Sequence, residues 1–185
     1  MSDSELLRTA FDLAKAMHEV ADEHLPEKLA GMVKLHAGIA AGTALIPIPG
    51  ADIAAAATNI WTMYVRINKE LNLPFAENAI KSIAAGVATN IGGAAAGLLV
   101  IGTAVKLFPG IGSIGGAALM AGTSYAITIV SGIVYMKAVT ALLKRKSAGD
   151  ISDADIREAA AREMRDKDAL KEMMKDIRKN YKPGK

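Results

Sequence analysis

The sequence predicts an all-α protein, and three observations lead to that prediction. Apolar residues recur at helical spacing along most of the 185-residue chain. No segment shows the sustained apolar–polar alternation of a half-buried strand. Prolines stand at the breaks between apolar runs, where they end helices. We expect two apolar helical hairpins rich in Gly and Ala, packed together between an amphipathic N-terminal helix and a charged C-terminal helical tail.

The first helix is predicted from its capping residues. Ser2 and Glu5 have the spacing of a capping box, and an amphipathic apolar pattern follows them. This helix is expected to end near Pro26. A second helix is predicted from about residue 27 to residue 45.

The second and third helices are separated by a proline-rich turn. Pro47 and Pro49 lack backbone donors and fix φ, and Gly50 follows them. A third helix is predicted over about 51–71. Asp52 is its first-turn carboxylate, which we expect to cap free N–H groups; a partner-facing or intramembrane carboxylate is the alternative.

The remaining helices are long and apolar until the tail begins. A fourth helix is predicted over about 77–106 and a fifth over about 113–146, with Pro109 and Gly110 in the turn between them. The predicted organisation is therefore a bundle over residues 1–146, with hairpins 27–71 and 77–146, followed by the tail.

The tail, residues 150–185, begins at a second capping signature formed by Ser152 and Asp155. An apolar stripe runs along its charged helices. The stripe is interpreted either as a face that docks on the protein's own core or as a partner-binding face. Its candidate partner-binding residues are Met164, Leu170, Met173, Met174 and Ile177.

The two Pro-Gly turns belong to an internal repeat. Residues 42–50 align with 102–110 at an offset of sixty and share Gly-Thr-Ala at the start and Pro-Gly at the end. Each copy lies between two apolar runs, which is typical of a repeated helical hairpin. Similar turn chemistry without duplication would give the same pattern.

The charge pattern raises the question of a membrane. Residues 82–105 and 107–136 are free of Asp, Glu, Lys and Arg, and each run is long enough to cross a hydrocarbon core of about 30 Å. Lys81 precedes this hairpin and a Lys-Arg-Lys cluster at 144–146 follows it, which favours cytoplasmic ends. Trp61 and Tyr64 are candidates for a membrane interface. GxxxG spacing predicts close helix packing at Gly38, Gly42, Gly93, Gly97, Gly112 and Gly116.

A soluble bundle is the main alternative to a membrane hairpin. Gly, Ala, Ser, Thr and Asn make the run over 82–105 only mildly hydrophobic. Glycine-tight packing in a soluble core would produce a similar composition, with the amphipathic ends covering the apolar middle.

The composition excludes several classes of protein. The chain has no cysteine, so disulfide scaffolds and thiol chemistry are excluded. The net charge is only +3, and no basic stripe with interleaved aromatic residues is present, so no nucleic-acid partner is expected. Charged residues at Asp3 and Glu5 argue against a secretory signal peptide.

No constellation of residues predicts catalysis, a cofactor or a metal site. The GxGxxG pattern at 110–115 follows a helix and lacks an acid about 20 residues on, so we interpret it as a turn and helix start. His18 and Asp22 are four apart and could share a ligand, although an exposed acidic helix end is the favoured interpretation. His36 is expected to be a packed or interfacial histidine.

Residues 36–53, with their Ile-Pro-Ile-Pro-Gly-Ala-Asp block, resemble the YcjF-like bacterial family of unknown function, domain of unknown function 697. The Asn-Leu-Pro-Phe segment near 72–75 and the Phe-Pro-Gly-Ile-Gly segment at 108–112 are also similar to that family. The resemblance covers about residues 30–145. It implies a helical, membrane-associated module, and in many members this domain follows a GTPase domain, which this chain lacks.

These observations predict a non-enzymatic, membrane-associated helical module that forms homo-oligomers or docks a partner such as a GTPase in trans. Its expected location is the cytoplasmic face of the inner membrane. One alternative is a soluble, cytoplasmic bundle that oligomerises or binds an apolar ligand. A second alternative is a pore-forming or membrane-perturbing protein that converts from a soluble form.

Overall fold

Every regular element of the described residues is helical. The computed structural model describes residues 2–45, 52–73, 80–81, 83–84, 114–165 and 176, and of 52–54, 153 and 164 it describes the backbone alone. The helices are α1 (Asp3–His24), α2 (Glu27–Ala44), α3 (Asp52–Glu70), α4 (Ile114–Leu143) and α5 (Asp153–Arg165), with a 3₁₀ turn at Ala148–Asp150. The all-α prediction is confirmed for this part of the chain.

Both predicted capping signatures form. The backbone N–H of Glu5 donates to Ser2 Oγ at 3.3 Å, and the Ser2 N–H donates to Glu5 Oε2 at 2.7 Å. Before α5, the Asp155 N–H donates to Ser152 Oγ at 3.2 Å, and the Ser152 N–H donates to Asp155 Oδ2 at 2.8 Å. Each pair satisfies two donors that the helix start leaves free.

The helix ends fall within a few residues of the predicted ones. α1 ends at His24 just before Leu25 and Pro26, and α2 begins at Glu27. After α3, Asn72 takes a left-handed conformation with φ 51°, and the N–H of Leu73 donates to the carbonyl of Asn68 at 2.9 Å. Asparagine tolerates this conformation better than most residues, so it ends α3 at the predicted break.

α4 is the central helix, and each of the other four described helices packs against it. α1 runs parallel to α4, since Gly115 meets Asp3 and Gly122 meets Ala10. α2 and α3 run antiparallel to each other: Lys28 at the start of α2 pairs with Glu70 at the end of α3. The largest fully buried side chains of the bundle are Met17, Ile60, Met63, Tyr64, Ile67, Ile80, Leu119, Ile129, Ile133, Tyr135 and Ile156.

The first part of the predicted tail is packed onto the bundle. Ile151, Ile156 and Ala160 are buried in the same core as the residues of α4. A Lys146–Asp155 ion pair at 2.8 Å links the end of α4 to the start of α5. α5 therefore shares the core of the bundle.

The two-hairpin organisation stays a prediction. α2 and α3 do pack together, as predicted for the hairpin over 27–71. Of the helix predicted over 77–106, Ile80, Lys81, Ile83 and Ala84 are helical, and the rest lies outside the described residues. The second copy of the repeat, 102–110, also lies outside them.

Candidate membrane-facing surface

Charged residues are sorted toward one end of α2 and α4, and of α3 apart from its first residue, Asp52. No Asp, Glu, Lys or Arg occurs in the second half of α2 (35–44), in α3 between 53 and 65, or in α4 between 114 and 136. These segments meet at one end of the bundle, where Ala40 and Thr43 of α2 line a cleft with Ala55 of α3 and Met120 of α4. We call this end the uncharged end.

Large apolar side chains are exposed near the uncharged end. All the exposed large hydrophobic residues of the described part, except Leu143, lie on the first half of α1, on the second half of α2 or its C-cap, or at the start of α4. Phe11 is 70% exposed and Ile114 is 73% exposed, values far above those of core residues. The others are Leu7, Leu35, Ile39, Leu45 and Met120. Clustered exposed apolar residues mark contact with a membrane or another protein.

The opposite end of the bundle is charged. Arg66, Lys69 and Glu70 lie in the last turns of α3. Lys137 lies near the end of α4, and the Lys-Arg-Lys cluster at 144–146 follows it. An open groove of about 580 Å³ there is lined by His24, Lys137, Lys144, Arg145 and Glu163, among others. Hydrogen bonds from Lys146 and Ser152 lower the pKa of Asp155. We call this end the charged end.

α1 departs from this sorting because charges occur along its whole length. Asp3, Glu5, Arg8 and Lys15 are exposed beside the first part of α4, and Asp12 is half-buried there. The two helices differ in this way because α1 is amphipathic, with a charged outer face, whereas α4 is apolar on all faces. α1 therefore gives α4 a polar outer surface on one side.

A polar cluster joins α1 to α2 and α4. His18 Nδ1 lies 3.1 Å from the hydroxyl of Tyr125, and Lys34 Nζ lies 3.0 Å from His18 Nε2. Lys34 also donates to Asp22 Oδ1 at 2.5 Å. Since an ammonium group can only donate, His18 Nε2 accepts and the ring proton is on Nδ1, facing Tyr125. Sequence spacing paired His18 with Asp22 but missed Lys34 and Tyr125, which are distant in the chain.

Two tyrosines form the polar centre of the core. The rings of Tyr64 and Tyr135 stack with centroids 4.0 Å apart. The Tyr135 hydroxyl donates to Asn68 Oδ1 at 2.7 Å, and the Tyr64 hydroxyl donates to the carbonyl of Ser131 at 3.1 Å. The expectation of Tyr64 at a membrane interface is therefore wrong, because its side chain is fully buried in the core. Trp61 is half-buried, with Lys81 5.8 Å from its ring centroid.

His36 is a packed residue, as expected. It is 2% exposed, and its Nδ1–H donates to Asn59 Oδ1 at 2.9 Å. The Asn59 amide in turn donates to the carbonyl of His36 at 2.9 Å, so the pair fixes α2 against α3. His36 Nε2 is buried without a partner, and burial lowers the pKa of this imidazole.

Gly115 and Gly132 bring helices together among the described residues. Gly38 and Gly42 are exposed, and a Cβ at either position would meet no described atom within 4 Å. Gly116 is buried. A Cβ at Gly115 would lie 2.8 Å from the Cα of Asp3, and one at Gly132 would lie 2.7 Å from the side chain of Val33. A GxxxG search misses these contacts because they depend on where α1 and α2 lie.

Several predicted site residues cannot be compared with the structure. α3 begins at Asp52, the predicted first-turn position, but the Asp52 side chain is not described. The side chain of Met164 on α5 is likewise not described. The other predicted residues that lie outside the described part are Pro47, Pro49, Gly50, Gly93, Gly97, Pro109, Gly110, Gly112, Leu170, Met173, Met174 and Ile177.

Three possible metal ligands meet at the charged end. Side-chain donor atoms of Glu23, His24 and Asp176 lie within 4.8 Å of one another. His24 Nε2 is 3.0 Å from Asp176 Oδ2, so these two atoms already satisfy each other. Sequence analysis missed this group because Asp176 is far from the other two residues in the chain.

One helix of the described residues, α4, is long and apolar enough to cross a membrane. Its best window has a mean hydropathy of 1.8, and 67% of that window is buried inside the bundle. The core helix of a soluble protein has the same properties, so length and composition alone do not decide between the two classes.

The fold defines an all-helical bundle with an uncharged end and a charged end. The chain is 29% identical over 106 residues to Magnetosome membrane protein 22 of Magnetospirillum gryphiswaldense (strain DSM 6361 / JCM 21280 / NBRC 15271 / MSR-1). The match covers 57% of this chain and 54% of that protein, so the chain spans about half the length of this curated relative. No protein-family model and no solved structure matches. Membership of the YcjF-like family therefore stays a prediction.

Proposed function

We propose that the protein is a membrane-associated helical module whose uncharged end contacts the bilayer. The observation that carries this proposal is the sorting of charge in α2, α3 and α4, together with the exposed apolar residues at the same end. The uncharged part of α4, 23 residues from Ile114 to Met136, is about 34 Å long at about 1.5 Å per residue, which is enough for a hydrocarbon core. The similarity to a protein named as a magnetosome membrane protein supports the same conclusion.

The orientation follows from the position of the basic residues. Lys137 and residues 144–146 follow the uncharged stretch of α4 and would lie at the level of anionic headgroups or beyond them. Basic residues next to a membrane segment favour the cytoplasmic side. We therefore place the charged end in the cytoplasm, at the inner membrane.

Matched substitutions at the two ends of α4 test the proposal. Ile114 and Leu143 are both exposed and lie at opposite ends of this helix. Ile114→Asp should weaken flotation with vesicles of phosphatidylethanolamine and phosphatidylglycerol, because Ile114 leads the uncharged stretch into the hydrocarbon core, where a carboxylate costs about 2.5–3.5 kcal/mol at the centre. Leu143→Asp should leave flotation unchanged. Equal flotation of both variants, or no flotation of the wild type, would contradict the proposal.

Self-assembly would use the outward face of α2. Gly38 and Gly42 lie one turn apart on this face, next to the exposed Leu35 and Ile39. In lipid, small residues at this spacing let two helices approach closely. Gly38→Ile should reduce chemically cross-linked oligomers in membranes, whereas Gly31→Ile, also exposed on α2 but nearer the charged end, should not. If neither substitution alters the amount of cross-linked oligomer, the outward face of α2 is not the self-assembly surface.

A partner such as a GTPase in trans, which the family resemblance implies, would dock on the tail beyond α5. α5 itself is committed to the core through Ile156. Truncation after residue 165 should therefore abolish partner pull-down and leave vesicle flotation intact. If the truncated protein loses both partner pull-down and vesicle flotation, the tail is not a separate partner-binding segment.

Among the described residues, the uncharged end offers little room for an apolar ligand. The cleft between α2, α3 and α4 at the uncharged end holds only about 80 Å³, whereas sites for drug-sized ligands occupy roughly 300–1,000 Å³. An apolar-ligand binder would need a larger cavity than this cleft.

A further inference from the structure

The first half of α1 lies flat against the uncharged stretch of α4. A Cβ at Gly115 would stand 2.8 Å from Asp3 Cα, and one at Gly122 would stand 3.0 Å from the carbonyl oxygen of Ala10. The offset in sequence between the paired residues is the same in both contacts. Residues 3–15 of α1 therefore run beside the first half of the uncharged stretch of α4. α1 covers the part of α4 that would enter a bilayer.

Within the part of the chain that the structure describes, packing holds this cover to the bundle. Among the described residues, those from 2 to 17 make no hydrogen bond or ion pair to another helix; their side-chain bonds stay within α1. The polar links of α1 begin at His18, which contacts Tyr125 and Lys34. The packed residues include Ala10, whose methyl group buries little area. Asp12 Oδ2 is buried in this half without a partner, which weakens the docking further.

The outer face of α1 cannot enter the hydrocarbon core, because charged side chains stand on it beside the exposed Leu7 and Phe11. Asp3, Glu5, Arg8 and Lys15 are exposed along the same half of the helix. Charged side chains are expensive inside a bilayer and face protein or water there. α4 cannot enter the hydrocarbon core while this half of α1 stays beside it.

We propose, resting on the function proposed above, that the apolar face of α1 is a second membrane-binding surface, exposed when the first half of α1 leaves α4. Leu6, Leu13 and Met17 share that face at helical spacing with Ala10, and they are half-buried or buried in the bundle. A helix with such a face and a charged opposite face lies in the interface between headgroups and acyl chains. At this interface the apolar face of α1 contacts lipid instead of α4. The uncharged stretch of α4 is then free to insert into the hydrocarbon core.

A disulfide tether tests this exchange. The chain has no cysteine of its own, and a Cβ at Gly122 would lie 3.4 Å from the Cβ of Ala10, close to the roughly 3.5–4.5 Å of disulfides. The full-length double variant Ala10→Cys/Gly122→Cys is bound to vesicles of phosphatidylethanolamine and phosphatidylglycerol (3:1), and the fraction that resists carbonate extraction is measured. We expect that fraction to fall by about tenfold when the protein is oxidised, and to recover on reduction.

The single-cysteine variants are the controls and should resist carbonate equally with and without reductant. Equal carbonate resistance of the oxidised and reduced double variant would overturn the inference while leaving the proposed function intact. Failure of the wild type to float with vesicles would overturn both.

A second pair of variants avoids cysteine in case the double variant does not fold. Gly122→Ala adds a methyl group against the backbone of Ala10 and should raise the carbonate-resistant fraction by about fivefold, because overpacking pushes α1 off α4. Gly31→Ala, on an exposed face of α2 with no described atom near its Cβ, should leave that fraction unchanged. The same response from both variants would overturn the inference.

Discussion

At the scale of single residues, a few buried polar groups fix the positions of whole helices. Asn59 holds His36 through two hydrogen bonds, and Asn68 accepts from Tyr135. Each bond joins two helices, so the loss of one partner leaves a buried group unsatisfied. The sequence predicts that His36 is packed, but no spacing rule identifies Asn59 as its partner.

The histidine makes stability depend on pH. Because burial lowers the pKa of His36, the unfolded chain takes up a proton at a higher pH than the folded one. Its contribution to stability is complete above about pH 6.5, the usual histidine pKa, and is lost as the pH falls below that value. The variant His36→Gln should lose less thermal stability between pH 7 and pH 5 than the wild type does. Parallel losses in both proteins, followed by circular dichroism, would contradict this prediction.

The two stacked tyrosines should differ in their response to loss of the hydroxyl. Tyr135→Phe leaves Asn68 Oδ1 buried and unpaired, next to an amide nitrogen that already lacks a partner, so it should cost about 1–3 kcal/mol. Tyr64→Phe removes a bond to the Ser131 carbonyl within α4 and should cost about 0.5–1.5 kcal/mol. Urea unfolding of both variants measures the difference. A larger loss for Tyr64→Phe would show that the Asn68 bond is not the stronger constraint.

At the scale of elements, local sequence signals predict where the helices begin and end. They do not predict which helices pack against each other. The capping pairs Ser2/Glu5 and Ser152/Asp155 and the break near Asn72 act within a few residues, so the sequence contains them completely. The contact of Gly122 with Ala10 depends on how α1 lies on α4, which no local pattern encodes. The stacking of Tyr64 on Tyr135 and the contact of His18 with Tyr125 were missed for the same reason.

α5 offers a test of where the bundle ends. Ile156 is fully buried against the core, so Ile156→Ala should destabilise the whole bundle by about 2–5 kcal/mol. Glu158→Ala, which removes an exposed pair with Arg162 on the same helix, should cost under about 0.5 kcal/mol. Urea unfolding is followed by the fluorescence of Trp61, which lies outside α5 and therefore reports on unfolding of the bundle core. Similar midpoints for both variants would mean that α5 folds separately from the bundle.

At the scale of the whole molecule, the central feature is the separation of charge along the helix bundle. The sequence predicts it in part, because the uncharged run over 107–136 and the basic cluster at 144–146 are visible without a structure. The sequence does not place the uncharged halves of α2 and α3 at the same end as the start of α4. That placement needs the antiparallel pairing of α2 with α3 and their packing on α4.

The central claim is that the uncharged end meets the bilayer, and an environment-sensitive dye at single cysteines tests it most directly. The cysteine-free chain allows one label at Ile114 or one at Leu143, both exposed positions on α4. On addition of vesicles, we expect a blue-shifted, brighter emission at Ile114→Cys and no change at Leu143→Cys. A shift at Leu143→Cys without one at Ile114→Cys would contradict it, because the charged end would then be the one in contact with lipid.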